Sequence, residues 1–133
     1  MTAPHQNDRT NHRILLIEDN EQNRYLVSFL LQSRGWEVIS APDGPTGLQQ
    51  AKALNPALIL LDIQLPGMDG YAVAQALRAD PMLYAIPIIA VTSFALPNDR
   101  EQCIAAGCSG YLEKPIDPHT FVAQVEQFLE PAA

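Results

Sequence analysis

Leu58-Ile59-Leu60-Leu61-Asp62-Ile63-Gln64-Leu65-Pro66-Gly67-Met68-Asp69-Gly70 is a dense apolar run that ends abruptly in a carboxylate and a Pro-Gly turn. A run this apolar predicts a strand buried on both faces, as in a parallel sheet with helices on each side. A carboxylate inside such a strand is costly to desolvate. One at the C-terminal tip lies where open α/β sheets bind ligands. Asp62 therefore stands at the mouth of a candidate crevice, and the rest of the chain must supply its company.

Working outward, the same pattern recurs. Further strands are predicted at residues 13–18, 36–41, 86–91 and 109–112, in addition to 57–63. Between them, helices are expected over 20–34, 43–54, 69–79, 97–106 and 117–129. In the first helix Tyr25, Leu26, Phe29 and Leu30 recur at helical spacing, and Gly35 stops it. Leu48, Ala51 and Leu54 mark the inward side of the second helix, and Val73, Ala74 and Leu77 that of the third. The last helix carries Phe121, Val122, Val125, Phe128 and Leu129. Five uninterrupted alternations of strand and helix imply a parallel sheet with right-handed crossovers and helices on both faces.

Composition bounds what such a domain does. A chain of 133 residues, 47% hydrophobic, is one domain with a real core. Residues 1–12 are polar and aperiodic and read as a disordered N-terminal arm, 13–130 as the folded domain, and 131–133 as a tail. A net charge of −7 with only 8 basic residues argues against a nucleic-acid partner. No stretch resembles a signal peptide or a membrane span, so a soluble cytoplasmic protein is expected. Cys103 and Cys108 read as two small reduced hydrophobes rather than a disulfide, and His5, His12 and His119 are too scattered for zinc.

Polar residues collect at the C-terminal ends of the predicted strands. Glu18 and Asp19 close the first, Asp62 the third, Thr92 and Ser93 the fourth, and Lys114 the fifth. If the first and third strands are neighbours, the strand order reverses between them, and such a switch point is where doubly wound sheets bind ligands. Two or three carboxylates on one rim make a hard oxygen site for a divalent cation, with Mg²⁺ the natural choice. Beside a cation Asp62 is a competent nucleophile toward phosphorus. Lys114 and the Thr92 hydroxyl suit phosphoryl oxygens. Asp69 and Asn20 read as helix N-caps, with a supporting role beside the acidic pair open for Asn20, and Ser93 as a small residue leaving access to the crevice.

With these residues assembled, the chain resembles the receiver domain of bacterial two-component response regulators. The likeness runs from about Arg13 to Leu129. It rests on the acidic pair Glu18-Asp19, Leu61-Asp62-Ile63-Gln64-Leu65-Pro66-Gly67-Met68-Asp69-Gly70, Val91-Thr92-Ser93-Phe94-Ala95, and Gly110-Tyr111-Leu112-Glu113-Lys114-Pro115. The resemblance implies an α/β, flavodoxin-like fold: a doubly wound five-stranded parallel sheet of order 2-1-3-4-5 with helices on both faces. It implies Asp62 as phosphoacceptor, with Thr92 and Lys114 contacting the phosphoryl group. Mg²⁺ is implied on Glu18, Asp19, Asp62 and the Gln64 backbone carbonyl, Glu18 acting mainly through water. Tyr111 becomes an aromatic switch coupled to Thr92, the Lys114-Pro115 bond is expected to be cis, and Gln64 and Phe94 flank the site.

The implied partners are a sensor histidine kinase or a histidine phosphotransfer protein, docking near Asn23 and Arg24, and a downstream protein target. No nucleic acid or membrane is expected, and homodimerisation on phosphorylation is left open. The implied role is a phosphorylation-dependent switch of the face made by the fourth helix, fifth strand and fifth helix. It is not an enzyme beyond its own phosphotransfer and autodephosphorylation. An aspartate-nucleophile phosphohydrolase would need a second acid where Gln64 stands, and a flavin carrier would not place Glu18-Asp19-Asn20-Glu21 at its phosphate loop. A docking module that never turns over phosphate is a third rival. A stand-alone chain is expected over a phosphorelay intermediate or a receiver excised from a kinase.

Overall fold

The computed structural model describes residues 12–65, 67–93 and 98–129. Five strands, β1 (Arg13–Ile17), β2 (Glu37–Ala41), β3 (Leu58–Asp62), β4 (Ile88–Thr92) and β5 (Gly110–Glu113), form one parallel sheet of order β2-β1-β3-β4-β5. They alternate with helices α1 (Glu21–Gln32), α2 (Gly44–Leu54), α3 (Gly70–Ala79), α4 (Asp99–Ala106) and α5 (Phe121–Gln127). Fold class and strand order are those expected from the sequence.

Alternation along the central strands divides the core into two layers. Leu15, Ile17, Ile59, Leu61, Ile88 and Ala90 pack with Ala51 of α2, Val73, Ala74 and Leu77 of α3, and Cys103 and Ala106 of α4. Ile14, Leu16, Leu58, Leu60, Ile89 and Val91 face Val27 and Leu31 of α1 and Phe121, Val122 and Val125 of α5. Every residue of β3 and β4 is buried, which is why both read as unbroken apolar runs. Both cysteines are free and buried within the first layer.

Local chemistry sets the helix ends. Asn20, Asp43 and Asp69 accept hydrogen bonds from the backbone N–H of Asn23, Thr46 and Ala72, each 2.8 Å away, and so cap α1, α2 and α3. Gly107 terminates α4 in the left-handed conformation, at φ +109°.

Two sequence expectations need correction. Tyr25 and Phe29 do not face the core: they are 73% and 58% exposed, and Val27 and Leu31 are the buried positions of α1. The last helix begins at Phe121 rather than Asp117, because Asp117 first closes a turn. Its carboxylate accepts from the His119 N–H, and its carbonyl from Thr120 and Phe121. The expected N-terminal arm lies almost wholly outside the described residues, and the expected tail and Phe94 lie wholly outside them.

Candidate functional site

Because all strands run parallel, their C-terminal ends meet along one edge of the sheet. β1 leads into Glu18 and Asp19, β3 ends at Asp62, β4 at Thr92, and Lys114 follows β5. From β1 the chain crosses to β2 on one side and later returns to β3 on the other, so the crevice above β1 and β3 is the topological switch point. The structure thus brings Glu18, Asp19, Asp62, Thr92 and Lys114 to one place.

Burial singles out three of them. Glu18, Asp62 and Thr92, each 3% exposed, are the buried polar or charged residues among those described. Carboxylate oxygens of Glu18, Asp19 and Asp62 lie within 4.8 Å of one another, with Asp19 on the solvent side. Lys114 Nζ reaches into the group, 3.1 Å from Glu18 Oε1 and 3.4 Å from Asp62 Oδ2. The peptide bond joining Lys114 to Pro115 is cis, as the family resemblance implied.

Backbone groups hold the acids in register. The Gln64 N–H donates to Asp62 Oδ1 at 2.9 Å, and the Asn20 N–H donates to Glu18 Oε2 at 3.1 Å. Arg24, in the first turns of α1, donates to the Glu18 carbonyl at 2.8 Å. The start of α3 is pressed against the end of β3. A Cβ on Gly70 would come within 2.5 Å of Ile63 Cα and 2.8 Å of the Asp62 carbonyl oxygen. Only glycine permits that approach, which fixes the turn behind the site.

Electrostatics follow from this crowding. Burial pushes the Asp62 carboxyl up to about 6, opposed by the Gln64 N–H; the Glu18 charge raises it further and the Lys114 ammonium lowers it. Three carboxylates faced by one ammonium leave uncompensated negative charge. The donor set, all hard oxygen, fits a divalent cation such as Mg²⁺.

Around this centre lie Tyr111, Ser93 and Gln64. Tyr111 pairs with Ala90 in the β4–β5 register and is half-buried, with the Arg100 guanidinium of α4 5.9 Å from its ring centroid. The Ser93 hydroxyl donates to Gln64 Oε1 at 2.8 Å, a contact not anticipated from sequence. The signal for it was register: Asp62 pairs with Val91, so two residues further Gln64 falls opposite Ser93.

Comparison with known proteins places this geometry. The model of the response regulator receiver domain matches residues 14–126. The chain belongs to the response regulator receiver domain family. Relatives of this receiver include the polar-differentiation response regulator DivK of Brucella ovis and of Brucella abortus, each 39% identical over 116 residues, 87% of this chain and 94% of theirs. Among solved structures, the Vibrio cholerae chemotaxis protein CheY4 superposes with a TM-score of 0.85 at 29% identity, covering 90% of this chain and 99% of its own. The receiver domain of the Pseudomonas aeruginosa sensor histidine kinase PA1611 matches with a TM-score of 0.82 at 34% identity, covering 90% and 98%. That domain has a magnesium ion coordinated in its active-site cleft. The setting of the present receiver is phosphorylation-based two-component signalling.

Proposed function

We propose that Asp62 accepts a phosphoryl group from a phosphorylated histidine of a sensor kinase or histidine phosphotransfer protein. The observation that carries this reading is a buried carboxylate, 3% exposed, at the switch point, with Lys114 Nζ 3.4 Å from its outer oxygen. In the transfer an Asp62 oxygen forms a bond to phosphorus while the phosphorus–nitrogen bond of the donor breaks. The electron pair of that bond returns to the imidazole. Lys114 meets the transferred charge with its ammonium, and the Thr92 hydroxyl donates a hydrogen bond to a second phosphoryl oxygen. Glu18, Asp19, Asp62 and the Gln64 carbonyl are the groups that would hold Mg²⁺, which when bound neutralises charge on the phosphoryl oxygens.

The response follows as a shift between pre-existing conformations. Thr92 moves toward the phosphorylated Asp62, the Tyr111 ring turns into the vacated space, and the face formed by α4, β5 and α5 changes for a downstream protein. The protein is in this reading a cytoplasmic switch whose only chemistry is its own phosphotransfer and dephosphorylation. Residues 13–130 constitute the receiver, with an arm at 1–12 and a tail at 131–133. The donor docks on α1, where Tyr25 and Phe29 stack with centroids 6.4 Å apart and offer apolar surface near Asn23 and Arg24.

Intact mass after incubation with acetyl phosphate and Mg²⁺, with and without EDTA, tests this directly. A metal-dependent phosphoryl adduct, labile to hydroxylamine and absent from Asp62→Asn, is expected. A folded protein giving neither adduct nor a fluorescence response to beryllofluoride would instead be a phosphate-independent docking module.

A further inference from the structure

Tyr25, Phe29, Met82, Tyr84 and Ile104 are the large hydrophobic side chains exposed among the described residues. Tyr25 and Phe29 belong to α1 and Ile104 to α4, whereas Met82 and Tyr84, 80% and 63% exposed, belong to no helix. They sit on the turn from α3 into β4, at the N-terminal edge of the sheet, opposite the edge that carries Asp62. The backbone of that turn is well held. Arg78, near the end of α3, donates to the carbonyls of Tyr84 and Ile86 at 2.7 Å each, and Asp80 Oδ1 accepts from the Met82 N–H at 2.9 Å. An apolar knob whose backbone is already fixed has less freedom to lose on binding.

Beside the knob is a matching hollow. α2 and α3 pack side by side on one face of the sheet, and between them lies an open groove of about 220 Å³. Leu48, Ala76, Ala79 and Leu83 make it apolar, and the small alanines leave it wide. Lys52, in the last turn of α2, and Asp80, at the end of α3, line it with opposite charge. Among the described residues no ion pair engages either of them.

The charges indicate what covers this face. At a net charge of −7, two copies of the chain repel unless each brings a cation to the other's anion. A two-fold contact needs a patch that is its own complement, since residue i meets j while j meets i. Knob with hollow, and Lys52 with Asp80, satisfy that requirement on one face. A partner of a single charge sign would set either Lys52 or Asp80 against its like.

We propose that this face is the interface of a two-fold dimer. Met82 of each copy enters the groove between α2 and α3 of the other, Tyr84 covers the edge of the contact, and Lys52 of each copy meets Asp80 of the other. The interface lies across the sheet from Asp62, so the dimer forms with or without a phosphoryl group and does not depend on the phosphoacceptor reading.

Sedimentation equilibrium of the full chain in EDTA, from about 10 to about 500 µM, tests this, because small interfaces assemble in that range. Wild type and Asp62→Asn are expected to pass from monomer to dimer alike. Lys52→Glu and Asp80→Lys are each expected to weaken self-association about tenfold or more, since two pairs are lost per dimer. An equal mixture of these two variants is expected to dimerise again, because each pair then joins opposite charges. Met82→Ser with Tyr84→Ser, which leaves the charges in place, is expected to be monomeric, and thermal melts establish that every variant is folded. A wild type that stays monomeric at about 500 µM overturns the inference, as does a dimer that none of these changes weakens. Failure of the mixture to reassociate overturns the two-fold pairing, and a dimer that appears only on phosphorylation belongs to another face.

Discussion

Replacing Asp62 by Asn should stabilise the metal-free protein. Burial and the Glu18 carboxylate raise Asp62 from 3.8 to about 6, so the folded state pays to ionise it. Holding the carboxyl at about 6 rather than 3.8 corresponds to about 3 kcal/mol at full value, and solvent screening at the open mouth of the crevice reduces this to about 1–2 kcal/mol. Asn retains an oxygen for the Gln64 N–H, and Lys114 retains Glu18 at 3.1 Å, so little is lost in exchange. The sign follows from proton counting. Between the unfolded value of 3.8 and the folded value of about 6 the native state binds more protons, and stability falls as pH rises. Above that window the whole penalty is present, and below it none. At pH about 7.5 in EDTA the variant should melt about 3–10 °C higher than wild type, and at pH about 5 the gain should shrink to about half. Thermal unfolding followed by circular dichroism at the two pH values checks both. A variant no more stable than wild type at neutral pH, or a gain that does not shrink on acidification, would refute the reasoning.

Two further perturbations address the frame around the site. Gly70→Ala puts a methyl group within 2.5 Å of the Ile63 backbone, which cannot swing aside, so urea unfolding should show a loss of about 1–3 kcal/mol. Glu126→Ala removes the acceptor of the buried Trp36 indole N–H and the partner of Arg34, each 2.9 Å from a Glu126 oxygen. A cost of about 1–3 kcal/mol in unfolding is expected, with a red-shifted emission that reads this contact alone because Trp36 is the chain's one tryptophan.

The fold was legible because its central strands are buried on both faces and end in charge. Leu58 to Leu61 could hardly be anything but an interior strand, and Asp62 could hardly sit further back in it. The same rule found Glu18 and Thr92, whose side chains are as buried as that of Asp62. Helix faces were harder to read. In α1, Tyr25 and Phe29 satisfy helical spacing as well as Val27 and Leu31 do, and periodicity cannot say which stripe meets the sheet. The fully buried positions against the sheet are the aliphatic Val27 and Leu31. The start of the last helix, expected at residue 117, was off for a different reason: the Asp117 carboxylate is spent on a turn and the helix begins at Phe121. The Gln64–Ser93 contact needed the strand register, which follows from pairing and not from either segment alone.

On the proposed reading, the placement of charge also explains why a rigid sheet can serve a switch. Asp62 is pinned by the Gln64 N–H and by the close approach of Gly70, so the acceptor itself has nowhere to go. A phosphoryl group on it adds negative charge to a crevice where three carboxylates already face one ammonium. What can respond are side chains that the sheet backbone does not fix: the Thr92 hydroxyl, and the Tyr111 ring, whose centroid lies 5.9 Å from the Arg100 guanidinium of α4. A cation over a ring at a partly exposed site is worth only about 0.5–1 kcal/mol. That is small enough to be given up when the Thr92 hydroxyl gains a charged acceptor, a bond worth about 1.5–3 kcal/mol. A rearrangement of such side-chain contacts, not a distortion of the sheet, is what would move the face formed by α4, β5 and α5.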